Sequence, residues 1–409
     1  MTEASPQFTD APIFDADQHM YETPDALTRY LPEKYRSAVQ FVQVGRRTRI
    51  AILNKITDYI PNPTFDRVAA PGAYEPFYSG NNPESKSLKE LGGRGVDSIP
   101  AWREPEARMK VLDEQGVDST LVYPTLANLV EHSAAEDPEL VVAVMHALNR
   151  WMLDQWQYVY QNRLFMTPVI SCALVDDARR ELEYVIENGA KVVLMKPAPV
   201  KGLRGWRSPA LPEFDPFWAD VQDANIPVVL HASQPPLTDY VNRWEPPSTN
   251  SAFAGSAFRR VVLGHREIAD MLASLICHGT LTRFPKLRIA SIENGSHWIQ
   301  SLFTELEVSY SKEPTSFPEH PIEAFRRNIW VSPFWEGSVE DVVNTVGWDK
   351  VLFGSDYPHP EGLAEPKGYF KYAEGMSEKR TYDFMGDNTR RFMGLPVVYK
   401  AEEEAPVPV

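Results

Sequence analysis

Cysteine is almost missing from this chain: 409 residues hold Cys172 and Cys277, neither in a CxxC spacing. That excludes a disulfide framework or a cysteine-built metal cluster, and both thiols are expected to be buried as small apolar side chains. Long apolar runs are missing too. No stretch approaches the roughly 18 residues that cross a bilayer, and residues 1–10 are polar and acidic, unlike a secretory leader. A soluble cytoplasmic protein is expected. Blocks of Lys and Arg are also lacking, and 41 basic against 56 acidic residues leave a net charge of −15. Neither nucleic acid nor an anionic membrane is therefore expected as a partner; a small-molecule substrate is.

What is present suits a large α/β core. At 43% apolar composition the chain accommodates a (β/α)8 TIM barrel of roughly 250 residues plus insertions. Eight short runs bounded by turn residues read as strands, at 13–19, 119–125, 165–171, 191–197, 227–233, 288–294, 328–333 and 350–356. Most are continuously apolar, as in a parallel sheet covered outside by helices. Helices are predicted at 104–115, ending at Gly116, and at 138–159, 178–188 and 215–224. The reading is one domain over 1–409, with insertions at about 37–100 and 235–269 lying over the C-terminal mouth. Within the first, 39–52 alternates as a hairpin does. The 35 prolines and 10 tryptophans predict rigid loops and aromatic walls for a pocket or a homodimer contact. The Glu/Pro/Val tail at about 399–409 is expected to be mobile or to pack on a neighbour.

Chemistry-bearing side chains gather at the predicted strand ends. Asp17 and His19 are two apart, so a strand turns both to one face. His231 ends the fifth run and Asp356 the eighth, where a carboxylate is costly to bury unless paired or metal-bound. Strand C-termini form the rim that carries barrel active sites. Mixed His/carboxylate ligation favours one divalent metal, Zn first and Mn or Fe next, with an open coordination position. Glu293, ending the sixth run, is the candidate general base; His297 and His359 are candidate proton donors or substrate binders. Lys196 ends the fourth run, but no HxH accompanies it to build a two-metal site. His265 and His278 lie near enough to the second insertion to approach the mouth, whereas His132, His146 and His320 read as surface or packing residues.

Taken in order, Ile13-Phe14-Asp15-Ala16-Asp17-Gln18-His19, Gly116-Val117-Asp118, Tyr123-Pro124-Thr125, Val229-Leu230-His231, Arg283-Phe284-Pro285 with Glu293-Asn294-Gly295, and Gly354-Ser355-Asp356-Tyr357-Pro358-His359 resemble the amidohydrolase-related (amidohydrolase 2) family. The similarity runs from about 11 to 395. That family includes aminocarboxymuconate-semialdehyde and γ-resorcylate decarboxylases and carbon–carbon bond hydrolases. The resemblance implies a single Zn or Mn held by Asp17, His19, His231 and Asp356. Two positions differ: members commonly begin with His-x-His or Glu-x-His where this chain has Asp17-Gln18-His19, and Glu293 stands where several decarboxylases carry a His.

Hydrolysis is the leading expectation, with Glu293 or Asp356 taking a proton from a metal-activated water that attacks a carbonyl. Its substrate would be a small cyclic or aromatic-derived acid, amide or vinylogous ketone. The alternative is non-oxidative decarboxylation of an aromatic or unsaturated acid, with His359 or His297 supplying the proton. A non-catalytic barrel is the third reading.

Overall fold

The computed structural model describes residues 8–234, 236–246, 256–263, 266–334 and 339–400. Seven parallel barrel strands form: β1 (Ile13–Met20), β2 (Val117–Pro124), β3 (Leu164–Met166), β4 (Val193–Met195), β5 (Val228–His231), β6 (Ile289–Ile292) and β7 (Ile329–Val331). β1 pairs with β2 and β2 with β3. β4 through β7 pair in sequence order. A Val169–Leu194 bridge joins the two sheets.

The eighth side is a looser segment than the strand predicted at 350–356. Val351 bridges to Val331, and Gln18 to Tyr357. The backbone bonds Ala16 N–Phe353 O (2.8 Å) and Asp356 N–Asp17 O (2.6 Å) close the barrel onto β1. Asp356 lies at φ 58°, a left-handed turn no regular strand continues through. All eight residues of β1 are buried, as a strand inside a closed, helix-covered sheet must be.

Helices pack outside: α1 (Pro105–Gln115), α2 (Pro138–Trp156), α3 (Val175–Glu187), α4 (Asp215–Asp223), α5 (Arg266–Cys277) and α6 (Trp298–Lys312). Gly116 caps α1 in the left-handed conformation, as its sequence position predicts. α2 starts on the Asp137 side chain, which accepts from Leu140 N at 3.0 Å. It stops at Trp156, three residues before the predicted end, because Gln157 turns to φ 59°. Cys172 is buried but Cys277 is exposed on the last turn of α5, correcting one of the two thiol expectations.

The first insertion holds the expected hairpin, Val39–Val44 with Arg47–Ile52, and adds a third strand, Lys55–Thr57. The second contributes helices Thr238–Val241 and Ala257–Leu263. Its predicted end at 269 falls inside α5. His265 and residues 401–409 of the predicted tail lie outside the described residues. Among the described residues, no helix is long and apolar enough to cross a membrane.

Candidate metal centre

The barrel brings three of the four predicted ligands directly together and places the fourth beside them. His19 Nε2 lies 3.5 Å from Asp17 Oδ1, 3.4 Å from Asp356 Oδ1 and 3.1 Å from His231 Nε2. His231 Nε2 lies 3.6 Å from Asp17 Oδ1. His19 thus links His231 to Asp356. All four residues are buried. Glycine allows the approach: a Cβ at Gly354 would stand 2.7 Å from Asp17 Cβ, so any larger residue would push the closing segment off β1.

Two further groups join the cluster. Glu293 Oε2 is 3.1 Å from His231 Nε2, and His359 Nδ1 is 2.8 Å from Asp356 Oδ1 without the alignment of a hydrogen bond. The ligand-type atoms of Asp17, Glu293 and Asp356, and those of His19, Asp356 and His359, lie within 4.8 Å of one another. Glu293 and Asp356 both carry positive φ, 56° and 58°. Such backbone outliers concentrate at functional sites.

The hydrogen bonds around the cluster fit a cation. His231 Nδ1 donates to Ala232 O at 2.8 Å, so its Nε2 lone pair is bare and faces His19 Nε2. The Thr125 hydroxyl donates to Met20 O (2.9 Å) and accepts from His359 Nε2–H (3.1 Å), which leaves the His359 Nδ1 lone pair facing a carboxylate. Asp17 Oδ1 and both Asp356 oxygens, all buried, accept no hydrogen bond. Lone pairs aimed at one another from 3.1–3.6 Å have the separation of ligands that each stand about 2.0–2.2 Å from a shared ion.

Electrostatics agrees. Burial, and then the charges of Glu293, Glu361 and Asp17, push the Asp356 carboxyl well above its ordinary range; Glu293 rises for burial and for Asp17 and Glu361. Burial pushes His19 down to about 4, keeping the imidazole neutral as ligation requires. A divalent cation relieves this crowding of acids.

Beneath the cluster lie supports the sequence did not reveal. Asp15 accepts from Gln18 Nε2 (2.9 Å), Ser355 N (2.9 Å) and Ser355 Oγ (2.5 Å). Arg108, fully buried on α1, donates to Ala101 O (2.6 Å), Gln18 Oε1 (3.0 Å) and His19 O (2.6 Å). Above it a cavity of about 250 Å³ opens on Glu293 and His359, with Tyr21, Tyr59, Phe65 and Tyr74 among its walls. Glu361 also lines it and was missed by sequence reasoning, though it sits two residues past His359. His297 is exposed at the start of α6, and the structure does not bring it to the cavity wall. Lys196 is half-buried off the cluster; burial holds its ammonium below the usual range, against the charges of Glu267 and Glu131. His278 is exposed. His146 pairs with Glu181 and His320 with Glu307.

A closed parallel barrel whose rim carries buried His and Asp groups set to share a cation defines a barrel enzyme of the metal-dependent class. The amidohydrolase family profile matches residues 86–395. An amidohydrolase crystal structure from Mycobacterium avium subsp. paratuberculosis K-10 is 34% identical, with a TM-score of 0.88, over 94% of this chain and 100% of that one. The chain belongs to the amidohydrolase family. A 5-carboxyvanillate decarboxylase from Novosphingobium aromaticivorans, solved with manganese, shares the fold at 15% identity and a TM-score of 0.60, over 95% of this chain and 98% of that one. A curated relative, the 2-amino-3-carboxymuconate-6-semialdehyde decarboxylase of Dictyostelium discoideum, is 25% identical over 135 residues, 30% of this chain and 36% of that protein's length.

Proposed function

We propose that this protein is a metal-dependent, non-oxidative decarboxylase of a small aromatic or unsaturated carboxylic acid. The observation that carries the reading is the cavity: about 250 Å³, faced by aromatic rings, with Glu293 and His359, the neighbours of His231 and Asp356, on its wall. Tyr21 and Phe65 stack there at 4.6 Å and 13°, a flat apolar face suited to a planar substrate. The decarboxylases among the similar proteins support this reaction over the hydrolysis that the sequence favoured.

Asp17, His19, His231 and Asp356 would hold the divalent ion, with manganese favoured over zinc by the metal in the carboxyvanillate decarboxylase structure. When bound, such an ion supplies charge neutralisation and Lewis-acid polarisation at the substrate carboxylate. The bond between carboxyl and ring carbon breaks, CO2 leaves, and the electron pair left on carbon takes a proton. Glu293 stands on the cavity wall next to His231 and is the group placed to deliver that proton. His359 is tied to Thr125 through Nε2 and turns its Nδ1 lone pair toward Asp356, so proton transfer is left to Glu293.

Turnover of 2,6-dihydroxybenzoate by the manganese-loaded protein in D2O tests the reading: release of CO2 with one deuterium on the product ring is expected. Hydrolysis is the second reading, favoured by the 3.1 Å contact of Glu293 with His231, which also suits a base that deprotonates water. Solvent 18O in the product of a cyclic amide or ketone, with no CO2 from any aromatic acid, would replace the first reading with the second.

A further inference from the structure

Most neutral hydrogen-bonding groups on the cavity wall are already engaged. The Thr125 hydroxyl joins Met20 O to His359 Nε2, and Tyr21 Oη donates to Pro358 O at 3.4 Å. In the roof made by the first insertion, the Asn62 amide donates to Arg67 O and accepts from Thr64 Oγ1. Asn128 differs. It lines the cavity half-buried, and among the described residues its side-chain amide has no hydrogen-bond partner. Its backbone is held from two sides. Leu126 N donates to buried Glu22 at 2.7 Å, and Asn128 O accepts from Gln234 N at 3.1 Å, which ties the short helix Ala127–Ser133 to the loop after β5. Gln234 is 3% exposed; among the described residues its Oε1 has no partner, and neither has the Ser233 hydroxyl. Neutral polar groups with unused capacity thus collect where the end of β2 meets the end of β5.

We propose that Asn128 is a specificity-determining residue that reads a hydroxyl on the substrate ring; this rests on the decarboxylase reading above, which makes the cavity the ring site. A primary amide offers a donor and an acceptor side by side, and a phenolic hydroxyl uses both. An ether or a carbonyl on the ring uses the donor alone, and an alkyl group uses neither. Because the helix is fixed through Glu22 and Gln234, the amide is in place before the substrate arrives. A ring without the hydroxyl then covers the amide and leaves it unpaired. Discrimination comes from that missing bond and involves no charge. Tyr59, on the roof, also lines the cavity with a hydroxyl that makes no hydrogen bond among the described residues. It belongs to the insertion and lacks the two-sided anchoring of Asn128, so it serves as the control.

Matched neutral probes isolate the hydrogen bond: 3-nitrophenol against 3-fluoronitrobenzene, and 4-nitrophenol against 4-fluoronitrobenzene. The planar nitro group stands in for the departing carboxylate, and fluorine fills nearly the space of the hydroxyl without donating. Calorimetric titration into manganese-loaded protein, in mildly acidic buffer where the hydroxyls keep their protons, is expected to show one hydroxyl probe binding about tenfold tighter than its fluoro partner. Asn128→Leu keeps the volume and removes the amide; it should close that gap with the manganese content unchanged. Tyr59→Phe should leave the gap intact. Equal binding within both pairs, a gap that survives in Asn128→Leu, a gap lost in Tyr59→Phe, or failure of all four probes to bind overturns the proposal. CO2 release from aromatic acids by the wild-type protein is measured separately. With it, any of those failures removes the Asn128 assignment alone. Without it, a gap closed by Asn128→Leu upholds the assignment in a ring-binding cavity and removes the decarboxylase reading.

Discussion

At the scale of single residues the centre is organised by which nitrogen of each histidine is free. Ala232 O fixes one face of His231 and Thr125 fixes one face of His359, so the other faces present lone pairs to the acids around them. Such outer partners set ligand orientation and basicity. His231→Ala removes the ring between Asp17 and Glu293, and metal affinity should fall by more than about 100-fold, beyond what loss of an outer partner costs. Metal analysis of the purified variant checks this, with an unchanged circular dichroism spectrum showing the fold retained. Glu293→Gln keeps shape and hydrogen bonding but removes the transferable proton; metal content should hold while kcat drops about 100-fold or more. A rate equal to wild type would reduce Glu293 to a turn residue. The four candidate ligands stood out in the sequence because they lie in, or end, apolar runs, where a polar group needs a reason. Glu361 and Arg108 gave no such signal: a loop acid and a helix arginine look like surface chemistry until the chain closes.

Among elements, strand 1 and the segment that closes the barrel do most to place the site. Asp15 ties β1 to Ser355, and Arg108 ties α1 to the backbone of His19. The Arg108 guanidinium also lies over the Tyr357 and Trp156 rings, 5.4 and 5.9 Å from their centroids. Arg108→Met removes every donor and strands three buried acceptors, which should cost about 3–5 kcal/mol in urea unfolding and weaken metal binding as β1 relaxes. Stability within about 0.5 kcal/mol of wild type, the range of ordinary surface changes, would show that water replaces the guanidinium. Strand positions were readable to within a few residues because buried parallel strands are continuous apolar runs. Their lengths were not: the predicted run at 165–171 forms a ladder only over Leu164–Met166, since pairing depends on the neighbouring strand's geometry. The hairpin in the first insertion followed from alternation, whereas its third strand, Lys55–Thr57, is too short to carry a period.

At the scale of the whole molecule, more acids than Lys and Arg side chains are buried among the described residues, and a buried acid without a counter-charge gives stability a pH dependence. Glu22 is an example outside the ligand cluster. It is fully buried and accepts from Leu126 N at 2.7 Å, while its Oε2 has no partner. Burial raises its carboxyl to about 8. A folded pKa above the unfolded value of about 4.3 means that the native state binds the proton more tightly between those limits. The stability from the protonated form is therefore complete below about pH 4 and is lost as pH rises toward 8. Glu22→Gln supplies a neutral acceptor of the same shape, so the variant should gain on the wild type as pH increases. Between pH 5 and pH 8 the relative gain should be on the order of 3 kcal/mol, one pKa unit being about 1.4 kcal/mol. Denaturant unfolding of both proteins in the presence of a chelator measures it, because chelation removes the separate contribution of a bound ion. Parallel stability curves across that range would mean that Glu22 is ionised in the native state, with a counter-charge or water reaching Oε2.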